Sequence, residues 1–156
     1  PESYVTLNRE WKNGDAVEIR LPMKLHTVPL PGTTNIVAVL YGPIVLAGEL
    51  GTNGMPVPYA KDQLDFVKVP DPKIPVFVAG SNASLLKRIK PTNEPLTFRT
   101  ENLGEPHDVT LIPFYKLNHQ RYSVYWNVVS KADWKKSSAE TSAGDESSLQ
   151  TALNSN

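Results

Sequence analysis

Three histidines are the natural candidates for acid–base or metal chemistry in this sequence. His26 follows a strand-like segment, His107 lies in a Gly-Glu-Pro-His-Asp run, and His119 lies in an Asn-His-Gln-Arg run. None of them has a second histidine two or four residues away, a spacing that many metal sites use. We therefore predict ordinary surface histidines, with no bound metal and no cofactor.

The acidic residues give no clear catalytic pattern. Glu105, His107 and Asp108 are close in sequence and could line one pocket, but Pro106 interrupts the backbone and a solvated loop is the simpler interpretation. A glycosidase needs two carboxylates roughly 5–10 Å apart, and sixteen acids offer many such pairs. A nucleophile elbow, a phosphate loop and a dinucleotide fingerprint are all absent from the sequence. We expect no catalysis by this chain alone; a stand-alone hydrolase with an unrecognised carboxylate site is the alternative.

Aromatic side chains suggest a second kind of site, because the C–H face of a sugar stacks on an aromatic ring. Trp11 precedes a turn and Tyr59 lies in a proline-rich segment, so both are candidate exposed platforms. Tyr115 and His119 form a further candidate platform for substrate binding. Tyr122 and Trp126 are instead predicted to lie in the core, since aromatic side chains dominate such cores.

Composition excludes several classes of function. The chain of 156 residues has 16 basic and 16 acidic side chains and no cysteine. No segment has the basic excess that nucleic-acid binding requires, so nucleic acid is an unsuitable partner. The absence of cysteine excludes disulfides and thiolate chemistry within the chain. No apolar run approaches the roughly 18–20 residues of a membrane span.

Fourteen prolines and nine glycines separate short apolar segments, a pattern typical of many short strands. Val17, Ile19 and Leu21 alternate with charged residues, which predicts a half-buried strand. We therefore predict an all-β fold, a β-sandwich of eight to ten short, mostly antiparallel strands with a flexible C-terminal tail. The predicted strands are Tyr4–Asn8 and Ala16–Leu21 as a hairpin, Ile36–Leu40, Ile44–Ala47, Asp65–Val69 at an edge, Pro75–Ala79, Leu96–Thr100, Val109–Phe114 and Tyr122–Val128.

Two of these strands, Ile36–Leu40 and Ile44–Ala47, are apolar on both faces. Such strands must be covered on both sides, either by a second layer of the same chain or by a partner. We expect an exposed apolar patch here, or a homo-oligomer formed through Ile36 to Ala47.

The remaining segments set the expected domain boundaries. Residues 1–130 are predicted to form the sandwich, with 1–50 open to a second interpretation as the continuation of a preceding sandwich. Ala83–Arg88 has a helical pattern with Asn82 as its N-cap. Residues 131–156 form a polar tail that we expect to be mobile, with at most a weak helix around Leu149–Leu153.

The order of short motifs resembles the region that follows the catalytic barrel in family 127 glycoside hydrolases, the β-L-arabinofuranosidase type. The Trp-Lys-x-Gly-Asp and Arg-Tyr-Ser-Val-Tyr-Trp segments together are the most specific part of the resemblance. The motifs cover roughly residues 3–128 and are Tyr4–Asp15, Val17–Met23, Leu40–Gly48, Pro95–Thr100 and Pro113–Trp126.

The resemblance implies a supporting role. In that family an N-terminal (α/α)6 barrel cleaves the sugar with a zinc-associated cysteine nucleophile and a glutamate acid/base, and β-sandwich domains follow it. This chain has no cysteine, so no catalytic residue of the family can be transferred to it. The resemblance implies a non-catalytic C-terminal accessory domain whose partner is the barrel, in a periplasmic or secreted enzyme acting on arabinose-containing plant glycans. A carbohydrate-binding module is the alternative.

Overall fold

The computed structural model describes residues 4–53, 55 and 72–139. Within these residues the chain is all-β in class, as predicted, with ten strands, a short helix α1 (Asn82–Lys87), a 3-10 turn (Phe114–Lys116) and a helical run over 131–139. The strands are β1 (Leu25–Pro29), β2 (Ile36–Tyr41), β3 (Ile44–Glu49), β4 (Val76–Val78), β5 (Ile89–Pro91), β6 (Phe98–Thr100), β7 (Gly104–Glu105), β8 (Thr110–Pro113), β9 (Tyr122–Ser123) and β10 (Tyr125–Val129).

The strands form one hydrogen-bonded sheet in the order β5-β6-β8-β3-β2-β10-β4-β7, with β1 on β2 and β9 on β3. Every pairing is antiparallel except that of β10 with β4. β1, β5 and β8 each end at a proline. A proline has no N–H to donate to the next rung of the ladder, so these three ends follow directly from the sequence.

The strand predicted over Tyr122–Val128 is broken in the structure. β9 pairs with β3 through Ser123 opposite Gly48, whereas β10 pairs with β2 through Trp126 opposite Val37. The break at Val124 shifts the alternation of the side chains, so Ser123 is buried and Tyr122 is 48% exposed. The prediction that Tyr122 belongs to the core was wrong, because the chain changes its partner strand there. The prediction for Trp126, which is fully buried, is confirmed.

The core lies around Trp126, whose ring stacks on Phe77 with the centroids 4.5 Å apart. Consecutive residues of β2 are buried, with Val37 at 3% and Ala38 at 8% exposure, and Leu46 and Ala47 of β3 are both at 0%. Consecutive side chains of a strand point to opposite faces, so both faces are covered within the chain. The expected exposed apolar patch at Ile36–Ala47 is therefore absent from the described residues, whereas a homo-oligomer through these strands stays a prediction.

The predicted N-terminal hairpin was wrong. Residues 4–24 contain no strand, and Ile19 is 78% exposed. The Asn13-Gly14 turn does form, with Gly14 at φ +92° and a hydrogen bond from the Asp15 N–H to the Lys12 carbonyl. The alternation of apolar residues over 17–21 is thus present in the sequence, but no described strand pairs with this segment.

Helix α1 begins one residue earlier than predicted. Ser81, not Asn82, is the N-cap: its hydroxyl accepts a hydrogen bond from the Ser84 N–H at 3.2 Å. The Ser84 hydroxyl accepts in return from the Ser81 N–H at 3.1 Å, which completes a capping box. Serine at the third helical position performs the role that glutamate usually performs, so the motif is hard to recognise in the sequence.

The sequence analysis did not predict a helix directly after β10. Residues 131–139 are helical, and the helix starts at Ser130, whose hydroxyl accepts from the Asp133 N–H at 3.1 Å. The edge strand predicted at Asp65–Val69, the mobile tail beyond residue 139 and the weak helix at Leu149–Leu153 lie outside the described residues. No helix in the described part of the chain has the length and apolar character needed to cross a membrane.

Replacement of Gly48 by alanine should destabilise the fold by about 1–3 kcal/mol, because the added methyl group overpacks the core. A Cβ at this position would lie 2.5 Å from Cζ2 of Trp126, far inside normal contact distance. Equilibrium urea unfolding followed by tryptophan fluorescence measures the change.

Gly80→Ala is the matched control. A Cβ at Gly80 would have no atom within 4 Å, and its backbone is not in the left-handed region. We expect a change of at most about 0.5 kcal/mol for this variant. If Gly48→Ala and the wild type had the same urea midpoint of unfolding, the close approach of Trp126 would not restrict the size of the side chain at position 48.

Candidate functional site

The structure separates the four predicted binding residues. Trp11 is 52% exposed on the N-terminal segment, and Tyr115 is 68% exposed in the 3-10 turn after β8. His119 is exposed in the loop that leads to β9, with a positive φ of 50°. Tyr59 lies outside the described residues. Tyr115 and His119 thus share one surface loop region, whereas Trp11 belongs to a different part of the chain.

Trp11 is held by a small local structure. The guanidinium of Arg9 lies 4.9 Å from the centroid of the Trp11 ring, and Arg9 also pairs with Asp15 at 2.8 Å. Asp15 additionally accepts a hydrogen bond from the Lys12 N–H at 2.9 Å. One face of the Trp11 ring is therefore occupied by a cation. This arrangement favours an anchoring role for Trp11 over an open sugar platform.

Tyr115 belongs to an aromatic cluster, which we define as Phe114, Tyr115 and Tyr122. The rings of Phe114 and Tyr122 are 5.3 Å apart and tilted by 58°, and the two side chains are 45% and 48% exposed. Phe114 was assigned to a strand from the sequence and Tyr122 to the core. The structure exposes both, because β8 ends at Pro113 and β9 is shifted in phase. The signal available in the sequence was the density of aromatic residues over 114–125.

The loop that contains His119 is fastened beside this cluster. The Gln120 side-chain amide donates to Glu49 at 3.0 Å, and the Leu50 N–H donates to the Arg121 carbonyl at 2.9 Å. These contacts tie the loop to the end of β3, so the cluster lies on a fixed surface.

The Glu105–Asp108 run does not form a catalytic pocket. The Asp108 carboxylate accepts hydrogen bonds from the N–H groups of Asn102 (2.6 Å), Leu103 (3.0 Å) and Gly104 (2.9 Å), and from the Thr100 hydroxyl (2.7 Å). Asp108 thereby holds the turn before β7 in place. Glu105 and His107 are both exposed, so the solvated-loop interpretation is correct for them.

Hydrogen bonds determine the charge state of Asp108. Burial by itself raises the pKa of this carboxyl, but the hydrogen bonds from Gly104, Thr100, Leu103 and Asn102 outweigh burial and place the pKa below its usual value. A general acid would need a raised pKa. Asp108 is therefore a structural anion.

No group of three or more histidine and acidic side chains that could hold a metal ion occurs among the described residues. His26, His107 and His119 are all exposed, as predicted for surface histidines.

Comparison with known proteins identifies the family of the chain. Residues 26–128, about two thirds of the sequence, match DUF4986, a domain of unknown function. The chain belongs to this family. No curated protein matches the sequence.

The limits of the DUF4986 domain agree with the architecture. The match begins within β1 and ends within β10, so it contains the whole described sheet except the first residue of β1 and the last of β10. The aromatic cluster and the Asp108 turn lie inside the matched range. Residues 4–24 and the helix over 131–139 lie outside it.

Replacement of Asp108 by asparagine should destabilise the domain by about 2 kcal/mol at pH 7, because hydrogen bonds to a charged acceptor are lost. The pKa of Asp108 is lower in the folded state than its value of about 3.9 in the unfolded state. The ionised carboxylate therefore stabilises the fold above that unfolded-state pKa, and this stabilisation is lost as the pH falls through the folded-state pKa. The difference between wild type and variant should therefore shrink below about pH 4. Thermal unfolding at a series of pH values measures it.

Asp15→Asn is the control for this experiment. Its carboxylate pairs with Arg9 on an exposed segment, so we expect a change of at most about 1 kcal/mol at pH 7. If the wild type remained more stable than Asp108→Asn by the same amount from pH 7 to pH 2, the assignment of Asp108 as a structural anion would be contradicted.

Proposed function

We propose that this chain is a non-catalytic accessory domain of a family 127-type glycoside hydrolase that acts on arabinose-containing plant glycans. In this proposal it packs against the rest of a longer enzyme and supports an (α/α)6 catalytic barrel. The observation that carries the proposal is the N-terminal segment, which we define as residues 4–24. It exposes a strand-like row of apolar side chains and lies outside the DUF4986 match.

The apolar row supports docking because its exposure is unusual. Val17, Ile19 and Leu21 are 55%, 78% and 62% exposed, whereas Val37 and Val39 of β2 are buried. Covering such side chains contributes about 25 cal/mol per Å² of apolar surface removed from water. A segment whose apolar and polar residues alternate gains this stabilisation when it pairs with the edge of a sheet, because its apolar face then packs on the core of that sheet.

The position of the segment also supports the proposal. It leads directly into β1, which pairs only with β2 among the described strands. The segment and β1 are thus one continuous stretch, half in this domain and half available to a neighbour. A neighbouring β-sandwich of the same polypeptide is the occupant that fits, since adjacent domains commonly share an interface near their linker.

The chemistry of the described residues is consistent with a supporting role. Asp108 holds a turn and Arg9, Trp11 and Asp15 form a local cluster, so these polar groups already have structural partners. The resemblance to family 127 hydrolases assigns catalysis to a cysteine and a glutamate of the barrel, and this chain contains no cysteine. The proposal includes an extracytoplasmic location, periplasmic or secreted, on the basis of that resemblance.

The double substitution Val17→Lys/Ile19→Lys should change the free energy of unfolding of this chain by less than about 0.5 kcal/mol, because both side chains are exposed. In the longer enzyme that the upstream reading frame should encode, the same substitution should lower the melting temperature, because two charges would have to be desolvated at the docking face. Differential scanning calorimetry of both proteins tests this.

Glu18→Gln/Arg20→Gln, on the other face of the same segment, is the control and should have little effect in either protein. Hydrolysis of an aryl β-L-arabinofuranoside by the purified chain alone would refute the proposal. An upstream reading frame without a cysteine- and glutamate-bearing helical barrel would also refute it.

The aromatic cluster favours a second candidate function, carbohydrate binding. The exposed rings of Phe114 and Tyr115 in the 3-10 turn and of Tyr122 in β9 offer a stacking surface for a neutral arabinan chain. The Tyr115→Ala variant should then weaken arabinan binding about fivefold, since loss of one stacked ring removes roughly 1 kcal/mol.

Isothermal titration with arabinan measures this effect. Tyr4→Ala is the matched control, because Tyr4 is fully exposed on the N-terminal segment and outside the aromatic cluster. An absence of heat with the wild type, or equal affinities for the wild type and Tyr115→Ala, would exclude this second function.

A further inference from the structure

A cleft of about 890 Å³ lies between the helix over 131–139 and the first helix of the domain. One wall is built from the end of β4 and from α1, with Ser84 and Arg88 facing the cleft. The other wall is the face of the 131–139 helix that carries Lys131, Trp134 and Lys135. The volume falls within the roughly 300–1,000 Å³ of small-molecule sites.

The spacing of the helix residues explains why they share this wall. Positions 131, 134, 135 and 138 are three or four residues apart and therefore lie on one face of a helix. Two hydrogen bonds between Ser130 and Asp133 fix the start of the helix immediately after β10. The Ser130 hydroxyl donates to the Asp133 carboxylate at 2.6 Å, and the Asp133 N–H donates to the Ser130 hydroxyl oxygen at 3.1 Å. The tryptophan is thus presented to the cleft from a defined position.

The opposite wall is also held rigidly. The Arg88 guanidinium donates to the carbonyls of Asn102 and Val78, which places the cation at the floor of the cleft. The Val78 N–H donates to the Leu103 carbonyl at 2.8 Å and the Ala79 N–H to the Val129 carbonyl at 3.0 Å. Strand β4 is therefore fixed on both sides beneath the cleft.

The charge of the cleft lining is positive. Arg88, Lys131 and Lys135 face one acidic residue, Glu105. The whole chain is neutral, with 16 basic and 16 acidic residues, so this local excess is a property of the cleft and not of the protein surface in general. An anionic group would be attracted to it, and the guanidinium and ammonium groups would bind a carboxylate by charge-assisted hydrogen bonds.

We propose that this cleft binds an acidic saccharide, that is, a sugar chain that contains uronic acid residues. The Trp134 ring stacks on the C–H face of a sugar ring, and Lys131, Lys135 and Arg88 bind the carboxylate. Glu105 accepts hydrogen bonds from the sugar hydroxyls, and the Ser81 hydroxyl, whose oxygen already accepts from the Ser84 N–H, donates its proton to one of them.

This ligand class accounts for all parts of the lining. A simple inorganic anion would use the cations but leave Trp134 without a role, and a neutral sugar would use the tryptophan but leave three cations unpaired. A uronic acid residue presents a carboxylate, several hydroxyls and an apolar C–H face in one ring. The inference does not depend on docking through residues 4–24.

The test is a titration of the full chain with trigalacturonic acid, in which binding is measured by isothermal titration calorimetry and by tryptophan fluorescence. We expect saturable binding that weakens as NaCl is raised from about 0.02 to 0.2 M, because the ion pairs in the open cleft are screened. Trp134→Ala and Lys131→Gln/Lys135→Gln should each weaken binding at least tenfold. Maltotriose, a neutral trisaccharide of equal length, should bind at least tenfold more weakly than trigalacturonic acid.

Matched variants outside the cleft are available in the same chain. Trp11→Ala removes another exposed tryptophan, and Lys12→Gln/Lys90→Gln removes two exposed lysines from other surfaces. Both should bind trigalacturonic acid as the wild type does. Melting temperatures of all variants confirm that they fold, and the double lysine variant keeps the test valid even if Trp134→Ala disturbs the helix.

Three results would overturn the proposal. The first is no binding of trigalacturonic acid at millimolar concentration. The second is equal affinity for maltotriose, which would show a neutral-sugar site. The third is unchanged affinity of the folded double lysine variant, which would place the binding site elsewhere on the chain.

Discussion

The packing of Trp126 is the interaction on which the rest of the structure depends. Its ring stacks on Phe77 of β4 and lies against the backbone of Gly48 in β3, so one side chain joins three strands that are distant in sequence. Burial of a tryptophan contributes on the order of 5 kcal/mol. Among the described residues no group accepts a hydrogen bond from its indole N–H, and the desolvation of this unpaired donor offsets part of that contribution. β10 also pairs in parallel with β4, with Val128 opposite Phe77, and the 131–139 helix begins shortly after this pairing.

The positions of the surface features follow from how the strands change partners. The strand that runs from Tyr122 to Val129 leaves β3 and joins β2, and the break between its halves turns Tyr122 outward beside Phe114. The same path carries the chain over the end of β4, where the helix and α1 enclose the basic cleft. The aromatic cluster and the cleft are thus consequences of one topological feature. The N-terminal segment is independent of it, since it lies before β1.

Local patterns predicted much of the fold. The apolar runs gave β2, β3 and β4 to within two residues at each end, whereas β1, β5 and β7 were not predicted. The exposed histidines and the structural role of the Glu105–Asp108 run were also foreseeable, because nothing nearby in sequence completes a metal or catalytic site. The Ser81 cap was missed because a serine took the usual place of glutamate in the capping box.

Other features depended on contacts between distant residues. Alternation predicted a strand at residues 16–21, but a strand needs a partner, and the described part of this chain provides none. The two-sided apolar character of Ile36–Ala47 was correctly identified, yet only the folded structure shows that the chain covers both faces itself. Arg88 is far in sequence from Lys131, Trp134 and Lys135, and no sequence motif relates it to them. The amino-acid sequence thus determined the class of the fold and the proline ends of β1, β5 and β8, because these depend on neighbouring residues. The tertiary structure decided which faces are buried and which side chains meet, because hydrogen-bond ladders and packing join residues that no local pattern relates.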